Sequence, residues 1–374
     1  MPGPFRATVR PVAETAPARR LVSLDAFRGA TVAGMILVNN PGSWNHVYQP
    51  LEHAAWHGWT PTDLIFPFFL FIVGVSLTLS RRVAPREAAV RALKILGLGL
   101  LLAAWPTFAL GTLRWPGVLQ RIAVCYLAAF LIARRLGDRA LAGIVTGLLV
   151  GYWALMTLVP VPDGHAPNLE AGTNLAAWVD RALMDGHLWR QTKTWDPEGP
   201  LSTLPAIATT LIGVLAGRWL RRPREQRATL RQGLLAGLAL TALGLLWDLV
   251  FPINKSLWTS SYVLFTGGLA LAALTLCHEL ADVRGPAAWA GPCVTYGRNA
   301  IFVFVASGLL AKTLARVQVT IETGTVPLQR LLHEALLASW LPPRPASLAW
   351  ALLNVLGFYV VLRVLEKRGI FFKV

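Results

Sequence analysis

Apolar residues in this chain are gathered into long runs, and polar residues into the short stretches between them. The runs fall at about 24–41, 63–80, 92–109, 117–133, 140–159, 201–220, 232–250, 259–278, 294–312 and 347–364. Each approaches the roughly 20 residues that a helix needs to cross the hydrocarbon core of a bilayer. The pattern predicts an all-α polytopic membrane protein of about ten transmembrane helices. No linker or repeat with a period of about 20 to 50 residues divides it. The expected organisation is a tail over 1–23, one membrane domain over 24–364 and a second tail over 365–374. Two long polar segments, about 160–200 and 313–346, interrupt the apolar pattern on one side, where extra structure or a substrate mouth can form.

Composition agrees with the pattern: 55% of residues are hydrophobic, 14% are charged and the mean hydropathy is +0.51. A soluble domain carries about 25% charged residues. The lipid bilayer is therefore the first expected partner. A net charge of +16 would suit nucleic acid, but its distribution points elsewhere. If the N terminus is cytoplasmic, the inside loops collect Arg6, Arg10, Arg19, Arg20, Arg81, Arg82, Arg86, Arg91, Lys94, Arg134, Arg135 and Arg139. They also collect the group from Arg218 to Arg231, then Arg284, Arg363, Lys367, Arg368 and Lys373, which together make up most of the 35 basic residues. This is the positive-inside bias, with both termini cytoplasmic. No basic-aromatic reading surface accompanies it, so nucleic acid is not an expected partner. The first twenty residues lack an apolar stretch, and the first span is expected to serve as its own uncleaved targeting signal. Cys125, Cys277 and Cys293 have neither disulfide nor metal spacing and read as packing residues.

Polar groups in or beside the spans are the informative ones, because they are costly in hydrocarbon and usually face an interior or cavity. "SLDAFRG" sets Asp25 and Arg28 on one helical face, either as an ion pair or, for Arg28, as a fork for an anionic cofactor's phosphates. "VNNPG" ends the first span with Asn39 and Asn40. "LEHAAWHGW" then places His53 and His57 four residues apart among tryptophans. Next, "TPTD" supplies Thr60 as a helix cap, Pro61 at the first helical position and Asp63 in the first turn. Pro67 is expected to kink this span. Gln120 and Arg121 open the fourth span, and the buried arginine needs a partner among Asp63, Asp196, Glu198 and Asp248. "TWDPEGP" brings Asp196 and Glu198 to the sixth span. "PINKSLWTSSY" gathers Asn254, Lys255, Trp258, Ser261 and Tyr262 at an outside turn, and "TYGRNA" holds Tyr296, Arg298 and Asn299. A zinc site from His53, His57 and His46 or Glu52 is disfavoured, since Pro50, Gly58 and Pro61 frame a loop and no HExxH pattern occurs. No metal is expected.

The ordered strings "SLDAFRG", "VNN", "HAAWHGWTPTDLIFPFFLFIVG", "PGVLQRIAVCY", "WDPEGPLSTLPAI", "PINKSLWTSSYV" and "YGRNAI" resemble the heparan-alpha-glucosaminide N-acetyltransferase family. The resemblance runs from about Leu21 to Leu309, and it is to the shorter bacterial members without an extra N-terminal luminal domain. It implies transfer of an acetyl group from cytoplasmic acetyl-CoA to the amine of a glucosamine-type sugar on the outer side of a bacterial cytoplasmic membrane. The expected partners are thus an amino-sugar or glycan acceptor, the bilayer and a second copy in a homodimer. The family histidine falls on His53 and its asparagine on Asn39. Neither His57 nor Arg298 inherits a role, whereas Asn299 fits the pattern.

The chemistry of these residues is consistent with that implication. A neutral imidazole can take the proton that an ammonium must lose before nitrogen attacks a thioester, or can itself carry the acetyl group. Asn39 can orient His53 or donate to the oxyanion. Asp63, Arg121, Asp196, Glu198, Asn254, Lys255 and Trp258 are the candidate substrate contacts, with Trp56 and Trp59 available to stack on a sugar. Asp25, Arg28 and Asn299 are the candidate cofactor contacts. O-acylation of an envelope glycan, or transport of a sugar or acyl carrier, would use similar intramembrane polarity, although no paired inverted halves are evident.

Overall fold

The computed structural model describes residues 21–79, 83–223, 225–285, 288–322 and 324–372. The expected inside charges Arg6, Arg10, Arg19, Arg20, Arg81, Arg82, Arg224 and Lys373 lie outside the described residues. In chain order the helices are α1 (Val22–Asn39), α2 (Ile65–Leu79), α3 (Pro85–Ala104), α4 (Val118–Ala133), α5 (Asp138–Leu158), α6 (Leu175–Met184), α7 (Pro200–Leu220), α8 (Gln226–Asp248), α9 (Ser260–His278), α10 (Ala290–Arg298) and α11 (Ala300–Arg316). A hairpin of β1 (Gln318–Ile321) and β2 (Gly324–Pro327) follows, then α12 (Leu328–His333) and α13 (Pro343–Lys367).

Every expected apolar run overlaps a helix, but among the described residues six helices are long and apolar enough to cross a membrane, or seven if α10 and α11 count as one span. That is the membrane count that length and composition alone support. The reason is visible in the others: α3 begins seven residues before its apolar run and takes Arg86, Glu87, Arg91 and Lys94 into the helix. The expected ninth span is not straight. Its two halves meet at Asn299 with a bend of 79°. The chain is also not wholly helical, because the antiparallel pair Val319↔Val326 and Thr320↔Thr325 occupies the 313–346 segment.

Burial separates inner from outer helices. Of the apolar window in α9, 72% is buried, against 17% in α8, whose Leu235, Leu238, Leu245 and Leu246 point outward. An apolar helix exposed in this way suits a lipid surrounding. The main core is built from α2, α4, α5, α7 and α9, through Phe71, Leu141, Leu211, Tyr262 and Phe265 among others. Close helix approach depends on missing side chains. A Cβ on Gly74 would lie 1.9 Å from the Thr210 carbonyl oxygen, and one on Gly213 would lie 2.1 Å from that of Phe71, so α2 and α7 meet backbone to backbone. Small residues at such crossings are the usual packing device between membrane helices.

Pro67 does not break α2, which runs from Ile65 to Leu79. It lies in the first turn, where its missing N–H leaves the carbonyl of Asp63, four residues back, without the usual helical donor. The Tyr262 hydroxyl donates to that carbonyl at 2.5 Å. The proline thus ties α2 to α9 at the point where the candidate site begins.

Candidate active site

The segment between α1 and α2 folds over the start of α2. Pro61–Leu64 forms a 3₁₀ turn leading into the helix, with Thr60 ahead of it as the sequence predicts. Asp63 is fully buried. Its Oδ2 accepts from the backbone N–H of Thr60 at 3.0 Å, the Thr60 hydroxyl at 3.2 Å and the Ala54 N–H at 3.1 Å. Its Oδ1 lies 2.6 Å from His53 Nδ1. Both oxygens are therefore committed to protein, and Asp63 is not available to contact a substrate. A carboxylate on Nδ1 fixes that nitrogen as the protonated one and leaves Nε2 as the acceptor. The His53 side chain is 50% exposed, so this oriented imidazole faces the outside of the loop.

A second loop reaches the same ring. The Gly58 N–H donates to the Ile253 carbonyl at 2.7 Å, from a left-handed φ of 93° that glycine adopts readily. Asn254 organises the turn that follows: its Oδ1 accepts from Leu257 N–H at 2.9 Å, its carbonyl accepts from Thr259 N–H at 3.2 Å, and its Nδ2 lies 3.4 Å from His57 Nδ1. These bonds hold Trp258 at a φ of 53°, a conformation costing about 1–2 kcal/mol in an L-residue. The turn projects Lys255 over His53. Its Nζ is 3.1 Å from Nδ1, 3.0 Å from Nε2 and 3.9 Å from Asp63 Oδ1. No in-plane position is equally close to both ring nitrogens without overlapping the Cε1–H between them. The lysine nitrogen therefore lies over the ring face, and the in-plane lone pair of Nε2 remains open. Burial lowers the pKa of Lys255, while the charges of Asp63 and Glu198 oppose that shift.

Beside this pair is a charged cluster whose pairing differs from expectation. Asp196 and Glu198 do not meet Arg121. Arg114 takes both, with Nε 2.8 Å from Asp196 Oδ2, Nη2 2.6 Å from Oδ1 and a further bond to Glu198. Burial works against the Arg114 charge, but the Asp196 hydrogen bond and the two carboxylates raise its pKa overall. Both carboxylates are thus hydrogen-bonded to one guanidinium, which offsets one of their two charges. Asp180, on α6, accepts from the Asp196 N–H at 2.8 Å, and burial pushes its pKa up to about 7. Arg121 is buried without a carboxylate: it bonds Ser202 and the Gly199 carbonyl, and its guanidinium lies 5.2 Å from the centre of the Trp258 ring. Trp258 is 1% exposed and its indole N–H donates to Thr209 at 3.1 Å, so it packs in the core and offers no face to a sugar. Trp56 stands edge-on to Trp195 at 5.2 Å and is half-buried, and Trp59 is exposed. Asn39 is exposed at the end of α1, and among the described residues its side chain makes no hydrogen bond. Asn40 is the buried one, donating to the Ile36 carbonyl at 2.8 Å.

Toward the other end of α2 lies a cavity of about 360 Å³. Its walls include Phe69, Ile72 and Ser76 of α2, Leu119 and Tyr126 of α4, and Arg28, Arg91 and Arg298. Arg28 is held by Asp25 at 2.9 Å and Ser76 at 2.8 Å. Arg298 bonds Glu366 at 2.6 Å, and its Nε has no partner among the described residues. A basic mouth with an orphaned donor and an apolar interior fits a ligand with phosphates at one end and a long thin chain at the other. Asn299 does not line this cavity. It is buried at the α10–α11 bend, where its Oδ1 accepts from Phe372 N–H at 3.0 Å. Among the described residues no three His, Cys, Asp or Glu side chains converge as a metal group.

The model of the family described as "Heparan-alpha-glucosaminide N-acetyltransferase, catalytic" matches residues 20–246. The chain belongs to this family. It is 29% identical over 378 residues to heparan-alpha-glucosaminide N-acetyltransferase of Mus musculus, covering 82% of this chain and 56% of that protein. It is 30% identical over 356 residues to that of Homo sapiens, covering 76% and 52% respectively. The chain thus spans about half the length of the curated relatives it matches.

The region matched to the N-acetyltransferase family contains His53, Asp63, Arg114, Arg121, Asp180, Asp196 and Glu198, whereas Asn254 and Lys255 lie beyond it. Sequence reasoning missed Arg114, Asp180, Arg91 and Tyr126. Arg114 had a usable signal, as the charged residue directly before "WPGVLQR". Asp180 had none, because its burial depends on α6 folding back onto the start of α7.

Proposed function

We propose that this chain is a membrane-embedded acetyltransferase that moves the acetyl group of cytoplasmic acetyl-CoA to the amine of a glucosamine-type sugar on the outer side. The observation that carries the proposal is the 2.6 Å contact between His53 Nδ1 and buried Asp63, which leaves Nε2 facing outward. In this reading His53 takes the proton of the acceptor ammonium as general base, or carries the acetyl group itself. Asp63 holds the ring in the required tautomer and stabilises the imidazolium that forms. Lys255 lies over the ring face, beside the proposed base. Asn39 remains the candidate donor to the oxyanion.

The thioester supplies the activated acetyl group, and the cavity between α2, α3, α4 and α11 is the proposed route for the donor. Arg28, Arg91 and Arg298 would hold its phosphates, with Asp25 fixing Arg28. Phe69, on the cavity wall, follows Asp63 by six residues, an axial separation of about 9 Å at the helical rise. The reading carries the proposed topology with it: ten spans, cytoplasmic termini, and the His53 loop outside a bacterial cytoplasmic membrane.

The test is an acceptor assay in liposomes. Reconstituted protein with labelled acetyl-CoA should yield N-acetylglucosamine, and His53→Ala should lose at least about 10²-fold in rate, the lower range for a positioned general base. Full activity in a folded His53→Ala protein would remove His53 from the mechanism.

A further inference from the structure

We infer that Lys255 is itself an acetyl acceptor, so that the protein carries a self-acetylation site beside His53. The inference rests on the acetyl-transfer reading above and extends it to a residue of the chain. The acceptor in that reading is a primary amine brought to His53 from the outer side. Lys255 is a primary amine already there, with Nζ 3.0 Å from Nε2 and 3.1 Å from Nδ1. Among the described residues no other lysine contacts a histidine: Lys312, for example, donates to the carbonyls of Leu102 and Trp105.

Three further observations bear on the reaction. First, attack needs the free amine, and burial lowers the pKa of this lysine, which enlarges the neutral fraction. Second, the backbone is fixed while the stem is not. Asn254 Oδ1 and the Lys255 carbonyl accept from Leu257 and Trp258, respectively, at 2.9 Å and 3.1 Å, and the four-carbon side chain can swing Nζ from the ring face to the ring edge. Third, Lys255 is partly open, at 21% of its side-chain surface, so the amine is reachable from outside the fold. The 3.0 Å between Nζ and Nε2 is within reach of a general base that takes the amine proton.

The step balances without a further reagent. The Nζ lone pair forms a bond to the acetyl carbon and the carbon–sulfur bond breaks. The amine proton passes to His53 Nε2 and then to the departing thiolate, giving N-acetyl-lysine and free CoA thiol. The product replaces a cation over the imidazole by a neutral and bulkier amide in the space the sugar amine would enter. An acceptor at saturating concentration competes for the same acetyl group and protects the lysine.

The experiment is peptide mapping by mass spectrometry of the full-length protein in liposomes, incubated with acetyl-CoA and no sugar. The expected result is one acetyl group on Lys255, suppressed severalfold by excess glucosamine and lost in His53→Ala. Equal modification of Lys255 in wild type and His53→Ala would mark uncatalysed chemical acetylation and overturn the inference. An unmodified Lys255 in a preparation that acetylates added glucosamine would overturn it and leave the acetyltransferase reading intact. Failure to acetylate either amine would remove both.

Discussion

Asp63 serves two groups with one carboxylate: Oδ2 receives the loop and helix N–H donors, and Oδ1 receives the histidine. Asp63→Asn keeps the shape but can present an N–H to Nδ1, which favours the wrong tautomer. Its expected effect is a fall in kcat of about 10² to 10⁴ with a smaller change in KM for either substrate, read by steady-state transfer in liposomes. Arg114 gives a different kind of prediction. Removing one partner of a buried ion pair leaves the other charge uncompensated and costs about 3–5 kcal/mol, so Arg114→Ala should lower the melting temperature in detergent more than Arg181→Ala, whose pair with Asp163 is open to solvent. Asp180 predicts a pH dependence. Its pKa is about 7 when folded and its ordinary value is 3.8, so the folded state binds the extra proton and stability falls as pH rises through that window. Melting curves of wild type should show this slope, and Asp180→Asn should flatten it. His53 and Asp63 were legible in the sequence because both lie in a short stretch governed by local helix-start rules. The Arg114 and Lys255 contacts join residues 82 and 202 positions apart, and local pattern holds no such information.

Helices were legible wherever the apolar run was long, and their ends were not where charge entered the helix. The run at 92–109 marked the lipid-compatible part of α3, while the helix itself starts at Pro85, because Pro85 at its first positions and Glu87 in the first turn favour that start. Asn299 illustrates the opposite limit: a continuous apolar pattern passes over a bend of 79° without signalling it, since periodicity reports which residues avoid water and not the direction of the axis. The tight crossing of α2 and α7 runs through Gly213 and Gly217 of "GVLAG", the spacing that lets membrane helices approach closely. Gly213→Leu should therefore separate α2 from α7 and destabilise the fold by at least about 1–3 kcal/mol through overpacking. Gly143→Leu on α5, where a Cβ meets nothing within 4 Å, should melt close to wild type in the same assay.

At the scale of the molecule, the His53 site and the arginine-lined cavity draw on opposite ends of α2, and the proposed reaction needs both. The two ends should separate kinetically. Arg91, exposed near the start of α3 with its guanidinium 5.3 Å from the Tyr126 ring centre, should on change to Glu raise KM for acetyl-CoA about tenfold, the equivalent of about 1.4 kcal/mol. KM for the sugar should stay near its original value. Charge asymmetry made the overall orientation readable as an expectation, but the partition into a donor end and an acceptor end needed the packed bundle. The Pro67 carbonyl gap has a consequence for motion as well. Because Tyr262 of α9 occupies it, the first turn of α2 is tethered to the most buried helix and not to its own next turn. Heat should then fray this junction as one cooperative unit, releasing His53 from its carboxylate before the bundle melts. Inactivation should run ahead of unfolding on a temperature ramp, with hydrogen exchange rising first at residues 53–64.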